Sequence, residues 1–226
     1  MRPTVALFDI DGTLVSCGGA GRASMDRAFA DVFGAEARVT DFPFGGMTDR
    51  AIARAGLTHG GREASEPEID ALLARYLGHL ETEVPRATRY EVLPGVVALL
   101  DALAPQAHVA IGLGTGNVEV GARMKLTRGA LWDRFAFGGF GSDHEDRARL
   151  LHRGAERGAE RLGVPLARAR VVVIGDTPRD VAAARAIGAE VIAVATGGSP
   201  LATLAACAPD LAVANLADDR VRARIG

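Results

Sequence analysis

The stretch Phe8-Asp9-Ile10-Asp11-Gly12-Thr13-Leu14 decides the fold, and it starts at the end of an apolar run over residues 5–8. Continuous rather than alternating apolarity is typical of a strand buried on both faces, as in a parallel sheet. Asp9 and Asp11 are two residues apart in an extended chain, so their side chains point the same way. The stretch therefore predicts a pair of carboxylates at the carboxyl end of a buried strand.

Similar apolar runs alternate with helical patterns along much of the remaining chain. Strands are predicted over residues 108–113, 170–174 and 190–194, with a weaker one over 134–137. Helices are predicted near residues 95–104, 118–129, 146–162, 178–188 and 199–207. This alternation predicts an α/β fold whose core is a Rossmann-like parallel sheet flanked by helices.

Residues 17–88 interrupt the alternation. Three helical patterns follow one another in this segment, near residues 22–34, 48–57 and 66–82, and no convincing strand separates them. We therefore predict a small all-helical cap domain over residues 17–88, inserted after the first strand. The α/β core domain then consists of residues 1–16 and 89–226.

The composition excludes several classes of protein. Of the 226 residues, 26 are basic and 28 acidic, so the net charge is −2 and no basic stripe is present to bind nucleic acid. No apolar run approaches the roughly 18 residues of a membrane span. Two cysteines are too few for a disulfide framework, and the early carboxylates do not suit a signal peptide. We expect a cytoplasmic protein that binds neither nucleic acid nor membranes, and that is a monomer or a weak dimer.

Lys125 is the only lysine in the chain, so any chemistry that needs a lysine must use this residue. It does not complete a phosphate-binding P-loop, because that motif needs Gly before the lysine and Ser or Thr after it. Here Met124 precedes the lysine and Leu126 follows it. Lys125 lies in the middle of a predicted helix, where we expect a structural or surface role.

Polar residues follow three of the predicted strands, at the edge of the sheet where open parallel sheets bind ligands. They include four carboxylates and two small polar side chains: Asp9, Asp11, Thr115, Asn117, Asp176 and Asp180. Carboxylates held close together repel one another unless a cation neutralises them. Carboxylate oxygens without histidine or cysteine suit Mg²⁺. The pattern therefore predicts a magnesium site at this edge.

Three of these segments resemble signatures of the haloacid dehalogenase-like (HAD) hydrolases. Residues 8–14 resemble the first signature, DxDGT, and residues 114–117, Gly-Thr-Gly-Asn, resemble the second. Residues 175–180, Gly-Asp-Thr-Pro-Arg-Asp, resemble the fourth. The position of the helical insert is similar to that of the C1 cap in this family. The second signature and the stretch Gly-Met-Thr-Asp at 46–49 look most like phosphoglycolate-phosphatase-like members.

The resemblance implies roles for the carboxylates. Asp9 would be the nucleophile that takes the phosphoryl group. Asp11 would protonate the leaving oxygen and then act as the base for the hydrolytic water. Mg²⁺ would be held by Asp9, the main-chain carbonyl of Asp11, and Asp176. Asp180 would lie behind the metal ligands or hold the basic residue of the site.

The resemblance also implies a binding site for the phosphoryl group and the substrate. The Thr115 hydroxyl and the amides of Gly116 and Asn117 would hydrogen-bond the transferring group at a helix N-terminus, which suits anions. Thr48 and Arg50, beside a Gly-Gly loop, are candidates for contact with the substrate. A helix N-cap is the alternative role for Thr48.

The third signature departs from the family, which usually places a lysine before the fourth strand. No lysine follows position 125 here, and the corresponding stretch, residues 141–147, ends in Arg147. We predict that Arg147 supplies the missing cation, because its guanidinium can offer a bidentate fork to the phosphoryl group or to Asp9. Lys125 is the rival candidate.

Several functions fit parts of this pattern. Asp11 argues against a dehalogenase, and the absence of lysine from residues 17–88 excludes a Schiff-base phosphonoacetaldehyde hydrolase. We predict a Mg²⁺-dependent phosphatase that hydrolyses a small phosphorylated metabolite, of the phosphoglycolate or sugar-phosphate type, through an aspartyl-phosphate. The alternatives are a β-phosphoglucomutase-like phosphotransferase and a nucleotide-binding protein that hydrolyses nothing. The dinucleotide pattern GxGxxG fails, since Glu119 stands at its third glycine.

Overall fold

The computed structural model describes residues 2–35 and 40–226, so Met1 and residues 36–39, part of the predicted cap, lie outside the described residues. The strands are, in chain order, β1 (Thr4–Phe8), β2 (Val15–Cys17), β3 (Tyr90–Val92), β4 (Val109–Thr115), β5 (Gly138–Phe140), β6 (Arg170–Gly175), β7 (Glu190–Val194) and β8 (Leu211–Val213). The helices are α1 (Ala20–Phe33), α2 (Asp49–His59), α3 (Glu66–Arg86), α4 (Val96–Leu103), α5 (Glu119–Arg128), α6 (Arg147–Arg161), α7 (Pro178–Ala186), α8 (Leu201–Ala206) and α9 (Asp219–Ile225). No helix in the described ranges is both long and apolar enough to cross a membrane.

Six parallel strands form the central sheet in the order β5-β4-β1-β6-β7-β8. Strand β1 lies between β4 and β6, with Phe8 in register with Leu113 on one side and Ile174 on the other. All five residues of β1 are buried, because helices cover both faces of the sheet. The predicted α/β fold is confirmed. The carboxyl ends of β1, β4 and β6 meet at one edge, which brings the polar residues that follow them together.

The weaker predicted strand, over residues 134–137, is wrong in position. The structure has a 3₁₀ turn at Trp132–Arg134 and places the strand at Gly138–Phe140. The Phe137 ring packs so closely against Gly112 that a Cβ on that glycine would lie 2.3 Å from the ring. Phe137 therefore fills the space beside β4, and pairing with β4 starts one residue later, where Gly138 is in register with Leu113.

The insert contains helices α1, α2 and α3, and α1 and α3 pack against each other. Their buried apolar side chains, among them Met25, Phe29, Leu72 and Tyr76, form one continuous hydrophobic core with residues of the central sheet such as Phe8. The antiparallel ribbon of β2 and β3, which the sequence did not indicate, lies where the chain leaves and rejoins the core. The ribbon contains or adjoins both predicted boundaries, and the division into domains stays a prediction.

The N-terminus of α2 is attached to the loop that follows β4. The Asp49 N–H donates to the Gly116 carbonyl at 2.8 Å, and the Asp49 carboxylate accepts from the Val118 N–H at 2.9 Å. These two bonds hold an end of the insert directly above the carboxyl edge of the sheet. A cavity of about 530 Å³ lies between the two.

Candidate active site

A tight turn after β1 sets the direction of the first two carboxylates. The Ile10 carbonyl accepts hydrogen bonds from the N–H groups of the three residues Thr13, Leu14 and Val15. Gly12 has a φ of 82°, and a Cβ there would lie 2.5 Å from an Asp176 carboxylate oxygen. Glycine is therefore required on both counts. The turn leaves the carboxylates of Asp9 and Asp11 on the cavity wall.

Three buried carboxylates form what we call the acidic cluster: Asp9, Asp176 and Asp180. One oxygen of each lies within 4.8 Å of one from each of the others. Burial raises the pKa of Asp9 to about 6, although the Arg147 guanidinium opposes the shift. Burial and the two neighbouring carboxylates raise the pKa of Asp176 to about 8. The single positive charge of Arg147 therefore does not neutralise the three carboxylates of the acidic cluster.

Asp180 is already engaged through both of its oxygens. One oxygen, Oδ2, accepts from the Thr177 N–H at 3.0 Å and from the Thr177 hydroxyl at 2.6 Å, which closes a capping box at the start of α7. The other oxygen, Oδ1, lies 2.5 Å from Nη2 of Arg147. Asp180 thus fixes the helix start and the guanidinium together.

Arg147 is the first residue of α6, and its side chain is only 9% exposed. Its Nη2 lies 2.9 Å from Oδ2 of Asp9 as well as beside Asp180. These are close ion pairs without hydrogen-bond geometry, since neither Nη2 nor Nε has a hydrogen-bond partner among the described residues. Nη1 points to the Gly46 carbonyl of the insert at 3.4 Å. The guanidinium therefore stands beside the expected nucleophile with donor capacity to spare.

Lys125 is buried on the inner side of α5 and reaches the same cavity. Its Nζ lies 2.6 Å from Oδ2 of Asp11 and 2.6 Å from Oδ1 of Asn117. The surrounding protein would raise the pKa of Asp11, but the Lys125 charge and the hydrogen bonds from Lys125 and Asn117 outweigh it and hold the pKa below its ordinary value. The two carboxylates of the first turn thus have opposite electrostatic surroundings.

The turn after β4 links these groups into one network. The Thr115 hydroxyl oxygen accepts from both the main-chain N–H of Asn117 at 3.3 Å and its side-chain amide at 2.9 Å. The same amide donates to Oδ2 of Asp11 at 2.9 Å. Gly116 lies against the insert, and a Cβ there would be 2.5 Å from the Met47 carbonyl. Gly116 and Asn117 of the second signature thus line the cavity, and the buried Thr115 hydroxyl holds Asn117 from behind.

A family model described as haloacid dehalogenase-like hydrolase matches residues 3–188 of the chain. The chain belongs to the haloacid dehalogenase-like hydrolases. A phosphoglycolate phosphatase of Rhodospirillum rubrum is 31% identical over 214 residues, which cover 91% of this chain and 86% of that protein. A phosphoglycolate phosphatase of Agrobacterium fabrum is 28% identical over 203 residues, covering 85% of this chain and 81% of that one. Both relatives are phosphoric monoester hydrolases.

Solved structures support the fold of this HAD hydrolase. A β-phosphoglucomutase from Clostridium difficile superimposes with a TM-score of 0.74 at 15% identity, covering 100% of this chain and 97% of that one. A predicted phosphatase from Clostridium acetobutylicum gives a TM-score of 0.73 at 17% identity, covering 100% and 99%. At these identities the likeness establishes the shared architecture.

The structure separates the sequence-predicted residues of the HAD hydrolase into two groups. It gathers most of them at the cavity: Asp9, Asp11, Gly116, Asn117, Arg147 and Asp176 line it, and Thr115 and Asp180 lie directly behind Asn117 and Arg147. It does not bring Thr48 and Arg50 there. Thr48 caps α2 by accepting from the Ala51 N–H and donates to the Glu145 carbonyl, while Arg50 is paired with acids of α3.

The expectation of a structural or surface role for Lys125 is wrong in its second part, since the side chain is 4% exposed and contacts Asp11 and Asn117 at the cavity. Lys125 stands between Ala122 and Leu126 on the buried face of α5, three and one positions away. A lysine at the helical spacing of small and apolar residues, in a helix that starts just after the second signature, is the signal that identifies it. Asp49 and Tyr76, which also line the cavity from the insert, had no such signal.

Proposed function

We propose that this protein is a Mg²⁺-dependent phosphatase that hydrolyses a small phosphorylated metabolite through a phosphorylated Asp9. The observation that carries the proposal is the contrast between Asp9 and Asp11. Asp9 stands in the acidic cluster beside the guanidinium of Arg147. Asp11, two residues after Asp9, is paired with Lys125. One carboxylate is thus placed to meet a cation and a phosphoryl group, and the other to exchange protons. The two phosphoglycolate phosphatases of similar sequence support the same activity.

The chemistry of the acidic cluster fits Mg²⁺. Three buried carboxylates face one guanidinium, and all the donors are the oxygens that this ion prefers. We assign Asp9, Asp176 and the main-chain carbonyl of Asp11 as the ligands. Asp180 is left out because both its oxygens are engaged by Thr177 and Arg147. When bound, the ion neutralises charge on the phosphoryl oxygens and on the carboxylates that approach them.

The residues of the chain then divide the work of two steps. In the first step an Asp9 oxygen attacks phosphorus, while the Arg147 guanidinium and the polar groups of the turn after β4 hold the equatorial oxygens. The leaving oxygen takes a proton from Asp11, which regains one from the attacking water in the second step of each cycle. The Lys125 ammonium at Oδ2 stabilises the carboxylate that remains after the proton has left. In the second step Asp11, ionised again, removes a proton from the water that attacks the phosphorylated Asp9.

A β-phosphoglucomutase-like activity is the second candidate, because one structural neighbour is such an enzyme. The shared architecture does not distinguish transfer to water from transfer to a sugar. The phosphatase proposal rests on the more similar sequences, both of them phosphatases. The match to a hydrolase family supports hydrolysis over the third alternative, a nucleotide-binding protein without hydrolytic activity.

The proposal predicts Mg²⁺-dependent release of inorganic phosphate from p-nitrophenyl phosphate, phosphoglycolate and simple sugar phosphates. Release should stop when the ion is removed with EDTA and return when Mg²⁺ is restored. The same reactions, analysed for products, distinguish the candidates: a phosphatase gives free phosphate, and a mutase gives an isomeric sugar phosphate. Absence of phosphate release from every compound would contradict the proposal.

The pKa shifts predict how pH and Mg²⁺ affect stability. Folded Asp9 and Asp176, with pKa values of about 6 and 8, bind protons more tightly than in the unfolded chain. The free energy of unfolding of the metal-free protein should therefore fall as the pH rises from about 5 to about 8. Mg²⁺ at about a hundred times its Kd should then add about 2.7 kcal/mol at pH 8. That corresponds to roughly 5–11 °C in Tm, measured by thermal melts after EDTA treatment.

Asp176→Asn is the matched control for this prediction, because it keeps the size of the side chain and removes one charge. Its Tm should vary less between pH 5 and pH 8 and should respond little to Mg²⁺. An equal Mg²⁺-induced shift in the wild type and in Asp176→Asn would show that the ion binds elsewhere.

We also propose a cytoplasmic location. Cys17 and Cys207 are both free, as suits a reducing compartment. Fractionation of the native cells is the measurement that checks it.

A further inference from the structure

Beside Asp11, and under the helices of the insert, the cavity continues into what we call the leaving-group recess. Three polar side chains define it: Asp49 from the first turn of α2, Tyr76 from the middle of α3, and Lys125 from α5. They are 7%, 1% and 4% exposed. Polar groups buried to this degree normally have partners within the protein. An atom of these three groups that lacks a partner is therefore a place where a bound molecule can form a hydrogen bond.

Asp49 and Tyr76 each present an unpaired polar atom. Oδ2 of Asp49 accepts from the Val118 N–H at 2.9 Å, but Oδ1 has no hydrogen-bond partner among residues 2–35 and 40–226. The Tyr76 hydroxyl likewise has no partner within the described chain, although its ring is packed in the hydrophobic core. Both side chains line the cavity. The two atoms are thus available to a bound molecule.

Lys125 is mostly committed. Two of its three N–H groups are directed to Asp11 and Asn117, each at 2.6 Å. The lysine also stands close to Gly21 of α1, where a Cβ would lie 3.2 Å from Nζ. One N–H remains, which is enough for a hydroxyl or ester oxygen and too little for a carboxylate that seeks two donors.

The charges in the recess leave no cation for a carboxylate. The Lys125 charge is balanced by Asp11, and Asp49 adds a negative charge above its pKa of about 6. Arg147 lines the same cavity but is paired with Asp9 and Asp180, where the phosphoryl group is expected. Arg22 at the cavity rim is a further cation, and it is occupied. Its Nε contacts Asp26 at 3.0 Å, and its terminal nitrogens donate to the carbonyls of Phe42 and Thr40. A carboxylate in the recess would meet an unpaired carboxylate oxygen of the same sign.

We propose that the leaving-group recess, formed by Asp49, Tyr76 and Lys125, selects an uncharged, hydroxyl-bearing leaving group such as a polyol or sugar and discriminates against a carboxylate. The proposal rests on the phosphatase function proposed above, and it names the substrate class of the same site. Asp49 accepts a hydrogen bond from one substrate hydroxyl, and the Tyr76 hydroxyl forms a hydrogen bond with a second substrate hydroxyl. Lys125 donates to the oxygen nearest the phosphoryl group. This substrate preference would distinguish the chain from the two relatives of similar sequence, whose names specify phosphoglycolate, a carboxylate.

Two matched pairs of substrates test the proposal at pH 8. Glycerol 3-phosphate and 3-phosphoglycerate differ only in a hydroxymethyl group in place of a carboxylate. 2-Hydroxyethyl phosphate and phosphoglycolate differ in the same way. We expect kcat/KM of the wild type to favour the uncharged member of each pair by at least about tenfold, or about 1.4 kcal/mol. Equal values, or a preference for the carboxylates, would overturn the proposal.

Two conservative variants locate the selectivity. Asp49→Asn keeps an oxygen for the Val118 N–H and removes the charge. It should therefore raise kcat/KM for 3-phosphoglycerate, relative to kcat/KM for glycerol 3-phosphate, by at least about fivefold. Tyr76→Phe removes one hydrogen bond to the substrate. It should lower kcat/KM for glycerol 3-phosphate, relative to kcat/KM for 3-phosphoglycerate, by about two- to tenfold. Ratios that match the wild type in both variants would show that the recess does not select. Each ratio comes from one enzyme preparation, so a partly unfolded variant still gives a valid result.

p-Nitrophenyl phosphate separates this proposal from the one on which it rests. Its leaving group needs no polar partners in the recess. Hydrolysis of this compound without selectivity in either matched pair refutes the recess and leaves the phosphatase intact. No hydrolysis of it with Mg²⁺ present refutes the phosphatase itself.

Discussion

Asp9→Asn is expected to lower kcat by about 10⁴-fold or more while the protein still folds. The effect is that of removing a nucleophile, since an amide nitrogen cannot take the place of the carboxylate oxygen that attacks phosphorus. The fold should survive because the substitution keeps the shape, and the N–H of residue 9 still donates to the Ile174 carbonyl at 2.9 Å. One of three repelling carboxylates is also removed. Steady-state turnover of p-nitrophenyl phosphate and a thermal melt measure the two effects.

The same prediction has a direct chemical readout. Acid quenching of the wild type during turnover should trap a phosphoryl group on the peptide that contains Asp9, detectable by mass. Asp11→Asn is the matched control, because it makes the same change of group two residues further along the same turn. It should still phosphorylate Asp9 from p-nitrophenyl phosphate, whose leaving group needs little protonation. Substantial turnover by Asp9→Asn, or a phosphoryl group on another residue, would show that Asp9 is not the nucleophile.

The sequence was sufficient to predict the central sheet because its strands are continuous apolar runs. Strand β1 and its carboxylates, and the turn that starts with Asp176, lie where the pattern predicts. Short elements were missed for a physical reason. Strands β2, β3 and β8 have three residues each, too few for any periodicity to be visible, and they form only because partners lie beside them. The same limit displaced β5 from the predicted segment.

Site residues that lie next to a strand end could be predicted from the sequence. Site residues within a helix were harder to predict, because the rotation of the helix about its axis decides whether their side chains point into the cavity. Arg147 begins α6 at the sheet edge, so its place follows from the chain path. Lys125 lies six residues beyond the start of α5, and only the orientation of that helix turns it inward. Arg50 shows the opposite case. Acids of α3 engage it, and the sequence contains no sign of which helix packs beside it.

Arg147→Ala is expected to lower kcat by on the order of a hundredfold or more, by comparison with the loss of a positioned donor to a developing charge. The guanidinium is the cation nearest to the nucleophile, with Nη2 2.9 Å from Asp9. Arg147→Lys should also be impaired, because a single ammonium cannot pair with Asp9 and Asp180 while offering a planar fork to the phosphoryl group. Turnover of p-nitrophenyl phosphate measures both, and thermal melts show whether each variant folds.

Lys125→Met is the comparison that distinguishes the two cations. Its ammonium contacts Asp11 and Asn117 rather than the nucleophile, so its loss should affect proton transfer to the leaving oxygen. Lys125→Met should therefore be slowest on alkyl phosphates and less impaired on p-nitrophenyl phosphate, whereas Arg147→Ala should be equally impaired on both. Added guanidinium ion should restore part of the activity of Arg147→Ala and none of that of Lys125→Met. If Lys125→Met were the variant that lost p-nitrophenyl phosphate turnover and Arg147→Ala kept it, the third-signature role would belong to Lys125, because the phosphoryl group would then depend on the cation beside Asp11.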